Sequence, residues 1–150
     1  MFTQRLSDVY RYILQSQQEG QVTLRSELTF LKSFIFLHQV RLGDCIHVDN
    51  RIDPSLLEKK IPSFTLQLLT ENVIKHNIIN SDKPMTIHLS TTEDGKMLVV
   101  SNQIRLKQNV VKSGTGLRNL SSRYKLMSNQ DIIVENDSNC FTVKIPLLNE

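Results

Sequence analysis

Residues 63–79, which read SFTLQLLTENVIKHNII, decide the expected fold because they combine a helical apolar pattern with a row of polar side chains. Leu66, Leu69 and Val73 recur at steps of three and four residues and mark one apolar side. Pro62 stands just before this stretch, where the first helical turn tolerates a residue without an N–H. The pattern predicts a helix over residues 63–79 that packs its apolar side on a sheet.

The polar row of this helix brings together three kinds of side chain. At 3.6 residues per turn, Asn72, Lys75 and His76 fall on one side. Ile79 extends that side, and Glu71 stands at its edge. A nucleotide would need such groups, because an amide oxygen suits Mg²⁺, cations suit phosphates, and a carboxylate can accept a proton during phosphoryl transfer. A solvated helix face would show the same cluster, so both interpretations stay open on this helix alone.

Two further helices are predicted upstream. Apolar residues recur at helical spacing over residues 3–18, and Gly20 ends that pattern. A second helical pattern covers residues 24–42, with a cap-like start and Gly43 as its stop. We expect the two helices to form a hairpin. Its apolar stripes need a partner, which would be either the following domain or a second copy of the hairpin.

The remaining chain alternates in the manner of β-strands. Period-two patterns cover residues 46–52, 85–90, 96–101, 132–134 and 141–145. Residues 103–113 lack a pattern and are expected to form a loop, which a short helix over residues 117–127 follows. This order predicts a two-layer α/β sandwich, with a mixed and largely antiparallel sheet and helices on one face. The expected domains are the hairpin of residues 1–43 and the sandwich of residues 44–150.

Composition excludes several classes of function. The chain has 150 residues and a net charge of +3 from 18 basic and 15 acidic residues, without the basic run that nucleic-acid binding would need. Cys45 and Cys140 lie far apart, which predicts two reduced thiols rather than a metal knuckle or a secreted disulfide framework. No signal-peptide pattern opens the chain, and the apolar run at residues 34–37 is too short to cross a bilayer. We therefore expect a soluble, cytoplasmic piece.

A glycine turn precedes the last predicted helix. Gly114 and Gly116, with Thr115 between them and Leu117 after them, would let backbone N–H groups approach phosphate oxygens at a helix N-terminus. The spacing fits neither a Walker A loop nor a Rossmann fingerprint. A simple turn before a helix would look the same, so the turn alone does not separate these interpretations.

Taken together, these segments resemble the LytS-type sensor histidine kinases. The match covers nearly the whole chain and is most specific at the N box of that family, residues 61–76. Residues 114–120, followed by Arg123 and Tyr124, are similar to its glycine box. Weaker matches to its dimerisation region and its final strand are residues 6–12, 22–28, 39–41 and 141–146. The resemblance implies the Bergerat or GHKL fold that gyrase, heat-shock chaperones, histidine kinases and mismatch-repair ATPases share.

The resemblance also implies a role for each motif residue. ATP with Mg²⁺ would be the ligand pair, and Asn72 would coordinate the metal ion. Glu71 would assist phosphoryl transfer to a histidine, while Lys75 and His76 would contact phosphate. The backbone of the glycine box would hold one end of a lid over the nucleotide. The residues of that box are Gly114, Thr115, Gly116 and Leu117.

Two residues depart from the family pattern at the base of the site. The family usually has Asp-x-Gly after the second strand of the central hairpin, where the Asp accepts the adenine amino group, but this chain has Asn102 and Ile104. Asn102 can accept that bond through its carbonyl oxygen without a charge. The expected loss is about 1 kcal/mol, or about fivefold in affinity. Ile104 in place of glycine predicts an altered entry to the lid.

A further departure is the missing phosphoacceptor. In the family the acceptor histidine is followed by Phe and then by Asn, and none of the four histidines has that context: His38, His47, His76 and His88. We therefore expect a fragment of a longer kinase, anchored in the inner membrane through upstream segments, that binds nucleotide without autophosphorylating. The expected partners are a response regulator of the LytTR type and a second copy of the chain.

Two other functions stay open. A degenerate, non-catalytic nucleotide sensor or dimerisation module would also explain the absence of Asp at position 102. An ATPase of the topoisomerase or repair type is disfavoured, because no second domain supplies a catalytic lysine. Phosphohistidine formation in a protein that includes the upstream segment would separate the kinase from the module.

Overall fold

The computed structural model describes residues 2–107 and 115–149. Its helices are α1 (Phe2–Glu19), α2 (Leu24–Leu42), α3 (Thr65–His76) and α4 (Thr115–Ser128). Its strands are β1 (Gln21–Thr23), β2 (Ile46–Asn50), β3 (Lys60–Pro62), β4 (Met85–Thr91), β5 (Met97–Gln103), β6 (Ile133–Asn136) and β7 (Cys140–Pro146). A 3-10 turn covers Pro54–Leu56.

Five of these strands form the main sheet, in the order β2-β4-β5-β7-β6. The β2–β4 pair is parallel and the other three pairs are antiparallel, which confirms the prediction of a mixed and largely antiparallel sheet. A second sheet, β1 with β3, was not predicted. Its strands have three residues each, which is too short for an alternating pattern to show.

The inner face of the main sheet carries the core of the fold. Along β4, Met85, Ile87 and Leu89 are buried, whereas His88 between them is exposed. The same alternation buries one side of β5 and β7, and Leu66 and Leu69 of α3 belong to the same cluster. Burial of a leucine-sized side chain contributes roughly 1.5–3 kcal/mol. The alternation therefore fixes which face of each strand points toward the helices.

The predicted bounds of α3 were wrong at both ends. Pro62 ends β3 instead of entering the first helical turn, and Phe64 precedes the helix with φ of 68°. At the other end Asn77 has an extended backbone, with φ −121° and ψ 151°. Its side-chain Nδ2 donates to Val73 O at 3.0 Å, which competes with continuation of the helix. Ile79 consequently lies outside the helix and does not extend its polar row.

Helices α1 and α2 pack against each other, as in the predicted hairpin, and a glycine follows the C-terminal end of each helix. Gly20 and Gly43 have φ of 73° and 83°, in the region that glycine adopts at little steric cost. Thr23 begins α2 by accepting a hydrogen bond from Ser26 N at 3.1 Å. Part of α2 packs into the main core through residues that include Leu31. The core therefore continues across residue 43, and the division of the chain at that residue stays a prediction.

The buried Glu27 and the partly buried Arg123 form a polar junction between the hairpin and the sandwich. Glu27 is 0% exposed and accepts a hydrogen bond from Leu66 N at 3.0 Å. Arg123 of α4 donates to Ser63 O at 2.6 Å and to Gly20 O at 3.0 Å. Burial raises the pKa of Glu27 to about 7, although its backbone hydrogen bonds and the charge of Arg123 oppose that rise.

We expect the stability contributed at Glu27 to fall as the pH rises from about 4.5 to about 7. Below pH 4.5 the carboxyl is protonated in both states, and the contribution is fully present. Between these values the unfolded chain ionises while the buried carboxyl keeps its proton, so the contribution is lost as the pH passes the folded pKa. The total change should be on the order of 1–3 kcal/mol.

Urea unfolding of the parent and of Glu27→Gln between pH 4.5 and 8 measures this change. The variant does not titrate at residue 27 and shares every other ionisable group. The free energy of unfolding of the parent minus that of the variant should become smaller with rising pH. A difference that stays constant, or that grows with pH, would contradict the shifted pKa.

Within the described residues, no helix combines the length and apolar character that a bilayer span requires. Cys45 is buried, Cys140 is partly buried, and both are free thiols, as the sequence predicts.

Candidate functional site

A pocket of about 260 Å³ opens between α3 and the strands β5, β6 and β7. Its wall is mostly apolar and includes a few amide and imidazole groups, the composition typical of a small-molecule site. The volume is close to the lower end of the range for such sites, roughly 300–1,000 Å³, and suits a planar base. The lining residues are Asn72, Val73, His76, Asn77, Asn102, Ile104, Leu106, Leu117, Asn136 and Phe141.

The structure brings together four of the predicted site residues. Asn72 and His76 reach the pocket from α3, Asn102 from β5, and Leu117 from the first turn of α4. Asn102 and Leu117 are far from the N box in the sequence, so folding alone places them against it. The polar residues Asn72 and His76 of α3 therefore form part of the pocket wall.

Two predicted residues of α3 do not line the pocket within the described part of the chain. Lys75 is exposed in the last turn of the helix. Glu71 is also exposed, and its Oε1 accepts a hydrogen bond from Gln67 Nε2 at 3.2 Å. Both side chains are thus exposed and outside the pocket lining.

Glu71 is within electrostatic range of His38 on α2. Burial lowers the pKa of His38, the charge of Arg41 lowers it further, and Glu71 opposes both effects. Arg41 Nη2 lies 3.1 Å from His38 Nδ1. The carboxylate of Glu71 therefore lies on the side of α3 that is nearer to α2, and it is not among the groups that line the pocket.

The described residues include only part of the glycine box. Gly114 lies outside the described residues, and Thr115 is the first residue of α4. Gly116 follows it in the helix, where an added Cβ would lie 3.5 Å from Leu68, an ordinary contact distance. The protein itself therefore does not require glycine at position 116.

Asn102 is the buried polar group of the sheet side of the pocket, with 3% of its surface exposed. Its Nδ2 donates to the carbonyl oxygen of Gln103 at 2.8 Å. That bond fixes the amide so that Oδ1 remains as an acceptor. A carboxylate at this position could not make the bond to Gln103, because it has no donor when ionised.

Asn77 is a site residue that the sequence analysis missed. Its Oδ1 accepts a hydrogen bond from Arg105 N at 2.7 Å, and Ile78 N donates to Arg105 O at 2.7 Å. Lys107 N donates to His76 O at 2.9 Å. These bonds fasten the segment that leaves β5 to the end of α3. The sequence did contain a signal for the end of the helix, because Asn77 follows the basic residues Lys75 and His76, a pattern typical of a helix C-terminus.

A divalent metal ion would need ligands beyond the protein. The described residues contain no group of three or more His, Cys, Asp or Glu side chains that could hold a metal ion. Mg²⁺ usually takes one or two protein oxygens and completes its shell with waters and phosphate oxygens. The amide of Asn72, half-buried in the pocket wall, fits that requirement when a phosphate ligand is present.

Comparisons with known proteins point to one group of signalling proteins. A family model described as histidine kinase matches residues 1–46. The chain is 31% identical over 144 residues to the sensor protein LytS of Oceanobacillus iheyensis, covering 85% of this chain and 25% of that protein. It is 31% identical over 97 residues to LytS of Staphylococcus haemolyticus, covering 65% of this chain and 17% of that protein. The chain thus spans a quarter or less of the length of these relatives.

Solved structures agree on the fold. The catalytic domain of histidine kinase ThkA matches with a TM-score of 0.57 and 15% identity, covering 87% of this chain and 97% of that one. The Acinetobacter baumannii histidine kinase AdeS matches with a TM-score of 0.57 and 10% identity, covering 98% of this chain and 77% of that one. These likenesses confirm the two-layer α/β fold of a histidine kinase catalytic domain. The roles of single residues rest on the pocket described above.

Proposed function

Because the chain belongs to the LytS-type sensor histidine kinases, we propose that the pocket between α3 and β5 binds ATP with Mg²⁺ and serves phosphoryl transfer to a histidine. The acceptor is a histidine outside the four of this sequence, since none of the four has the family context. The observation that carries the proposal is the meeting of Asn72, His76 and Asn102 in one largely apolar pocket. Polar groups from two distant segments, α3 and β5, thus meet where a nucleotide would need partners for its base and its phosphates.

The residues of the pocket divide between the base and the phosphates. Asn102 Oδ1 accepts the amino group of adenine, while Phe141 and Leu117 supply apolar surface for the ring. Asn72 supplies an oxygen to Mg²⁺, and His76 contacts a phosphate oxygen. Mg²⁺, when bound, neutralises charge on the transferring phosphoryl group. The pocket residues bind and orient the nucleotide.

Glu71 serves the acceptor rather than the nucleotide. Its exposed carboxylate stands one position before Asn72, outside the pocket lining and on the α2 side of the helix. From there it can take the proton that an attacking imidazole loses. Lys75 is exposed as well and contributes positive charge near the phosphates, without a contact in the pocket.

The proposed assembly follows from this function. The partners are a second copy of the chain and a response regulator of the LytTR type, and the domain works on the cytoplasmic side of the membrane, where ATP is present. Leu6 and Tyr10 of α1 are 50% and 65% exposed and offer apolar surface to a second copy. Sedimentation equilibrium tests that contact.

Calorimetric titration with MgATP tests the binding step. We expect saturable binding in the micromolar to millimolar range, and no measurable heat at millimolar nucleotide would refute the proposal. The transfer step needs the full product of the encoding gene. Incubated with γ-labelled ATP, it should form acid-labile phosphohistidine.

Asn102→Asp is expected to strengthen MgATP binding about fivefold and to lower the free energy of unfolding by about 1 kcal/mol. The carboxylate is a stronger acceptor for the adenine amino group, which accounts for the affinity. It cannot donate to Gln103 O, which accounts for the lost stability. Calorimetry and urea unfolding measure the two effects. Unchanged affinity would show that position 102 does not contact the base, and unchanged stability would show that the bond to Gln103 O contributes little.

A second candidate function is a non-catalytic nucleotide sensor or dimerisation module. The neutral Asn102 at the base of the pocket is the observation in its favour. Retained dimerisation without phosphohistidine in the full-length protein would select this function over the kinase.

A further inference from the structure

The helix that carries Asn72 and His76 lacks a local N-terminal cap. An α-helix leaves its first N–H groups without partners inside the helix, and a Ser, Thr, Asp or Asn at the N-cap usually accepts from one of them. Here the residue at that position is Phe64, whose apolar side chain cannot accept a hydrogen bond. The first turn of α3 also has no acidic residue. The helix therefore needs an acceptor from elsewhere in the chain.

Glu27 of α2 supplies that acceptor. Its Oε1 accepts from Leu66 N at 3.0 Å and its Oε2 from Phe64 N at 3.3 Å, and Thr65 N bonds to the same carboxylate. The side chain is fully buried, and its charge lies at the positive end of the α3 dipole. A single carboxylate, 39 residues away from Leu66 in the sequence, thus caps the helix.

Arg123 of α4 also holds the start of α3. Its guanidinium donates to Ser63 O at 2.6 Å, to Ser63 Oγ at 3.2 Å and to Gly20 O at 3.0 Å. The start of α3 is therefore held by α2 through Glu27, and by α4 and the hairpin turn through Arg123. The remaining pocket wall is built on the sheet, where Asn102 is placed independently of these bonds.

We propose that Glu27 is a positioning residue of the nucleotide site, because it fixes the start of α3 and thereby the placement of Asn72 and His76 against Asn102. The inference rests on the proposed function of the pocket. Asn72 lies about two helical turns after the capped turn, so a tilt or fraying at the start of the helix displaces it. The helical hairpin then contributes to the site, because the side chain of Glu27 sets the distance between Asn72, the proposed metal ligand, and Asn102, the proposed base acceptor.

Glu27→Gln, studied at pH 8, tests this role. The replacement keeps the shape of the side chain but turns one acceptor oxygen into an NH₂ group that faces backbone N–H donors. MgATP and metal-free adenosine are the two probes. We expect the Kd for MgATP to rise about tenfold and that for adenosine to stay within about twofold, because Asn72 and His76, which serve the metal and the phosphates, lie on α3 whereas the base acceptor Asn102 lies on the sheet. Glu27→Asp, which keeps the charge with a shorter reach, should give an intermediate loss.

Leu28→Ala is the matched control. Leu28 is the neighbouring residue on α2 and packs partly buried against the main core, so its truncation lowers stability without removing the cap. This variant should bind both probes like the parent. If Glu27→Gln is less stable but binds MgATP like the parent, Glu27 is structural only and the proposal is wrong. An equal loss of both probes would show general loosening and would also overturn it.

Hydrogen exchange separates a failure of this proposal from a failure of the proposed function. If the parent itself does not bind MgATP, the nucleotide function fails, and the positioning role fails with it. Exchange of the α3 amides still reports the cap, with faster exchange expected in Glu27→Gln than in Leu28→Ala. Should Glu27→Gln not fold, the comparison is made with Glu27→Asp, whose unchanged MgATP affinity despite faster α3 exchange would overturn the proposal.

Discussion

Asn72→Ala is expected to weaken MgATP binding on the order of 100-fold, equivalent to about 2.7 kcal/mol, while metal-free adenosine binds within about twofold of the parent. The described residues hold no cluster of three acidic, His or Cys side chains that could retain a metal ion. The amide oxygen of Asn72 is the protein ligand that we assign to Mg²⁺ in the pocket. Its loss removes a large share of the protein contribution to the metal shell, whereas the acceptor for the base on β5 is untouched.

Gln67→Ala controls for truncation of an amide on the same helix. Gln67 lies outside the pocket lining and bonds to Glu71, so its removal should leave the affinity for MgATP within about twofold. Calorimetry with MgATP, MgADP and adenosine distinguishes the contributions of metal and base. If Asn72→Ala binds MgATP as tightly as the parent, Asn72 is not a metal ligand. If Asn72→Ala weakens the binding of adenosine and of MgATP equally, the Asn72 side chain stabilises the pocket instead of binding the metal ion.

Alternation along the strands was enough to predict the sheet. Leu98 and Val100 of β5, and Val143 and Ile145 of β7, are buried at every second position, and the structure pairs these strands in the register that this pattern requires. Local patterns succeed here because β4, β5 and most of β7 have one buried and one more open face. The strands of three residues, β1 and β3, have too few positions to show that signal.

The end of α3 shows where a periodic pattern misleads. At 3.6 residues per turn Ile79 extends the side of the helix that carries Asn72 and His76, but the backbone becomes extended at Asn77. The Asn77 side chain bonds both to Val73 O and to Arg105 N, and the second bond comes from a segment 28 residues later in the chain. A tertiary hydrogen bond of this kind leaves no periodic trace in the sequence. The polar row is consequently shorter than predicted, and it ends at His76.

Long-range polar partners were the part of the site that the sequence could not supply. Arg123 follows the glycine box and could have been a solvated residue of its helix, yet it bonds to Gly20 O across 103 residues of sequence. Glu27 lies in the first turn of α2, yet its carboxylate caps α3. Both residue types occur at helix surfaces far more often than in buried junctions, so their identity alone favours the simpler interpretation. Only the tertiary structure shows that they connect the hairpin to the N box.

Tyr124→Ala is expected to lower the free energy of unfolding by roughly 3–5 kcal/mol, the largest stability effect we predict. The ring is 0% exposed, within the main core, and the hydroxyl donates to Pro146 O at 2.8 Å. Truncation leaves a cavity between α4 and the sheet and a buried carbonyl without its donor. For a chain of this size the melting temperature should fall by about 10 °C or more.

Tyr124→Phe divides this effect between the ring and the hydroxyl. The phenylalanine keeps the packing and removes only the bond to Pro146 O, so the expected loss is about 1–3 kcal/mol. Because α4 carries Leu117 to the pocket, Tyr124→Ala should also weaken adenosine binding at temperatures where it remains folded, while Tyr124→Phe should not. Equal losses of stability in the two variants would mean that the ring contributes little and that the hydroxyl bond to Pro146 O accounts for the effect. Unchanged adenosine affinity in Tyr124→Ala would instead show that the pocket does not depend on the anchoring of α4, which leaves the glycine-box side of the site to be placed by the bonds at the start of α3.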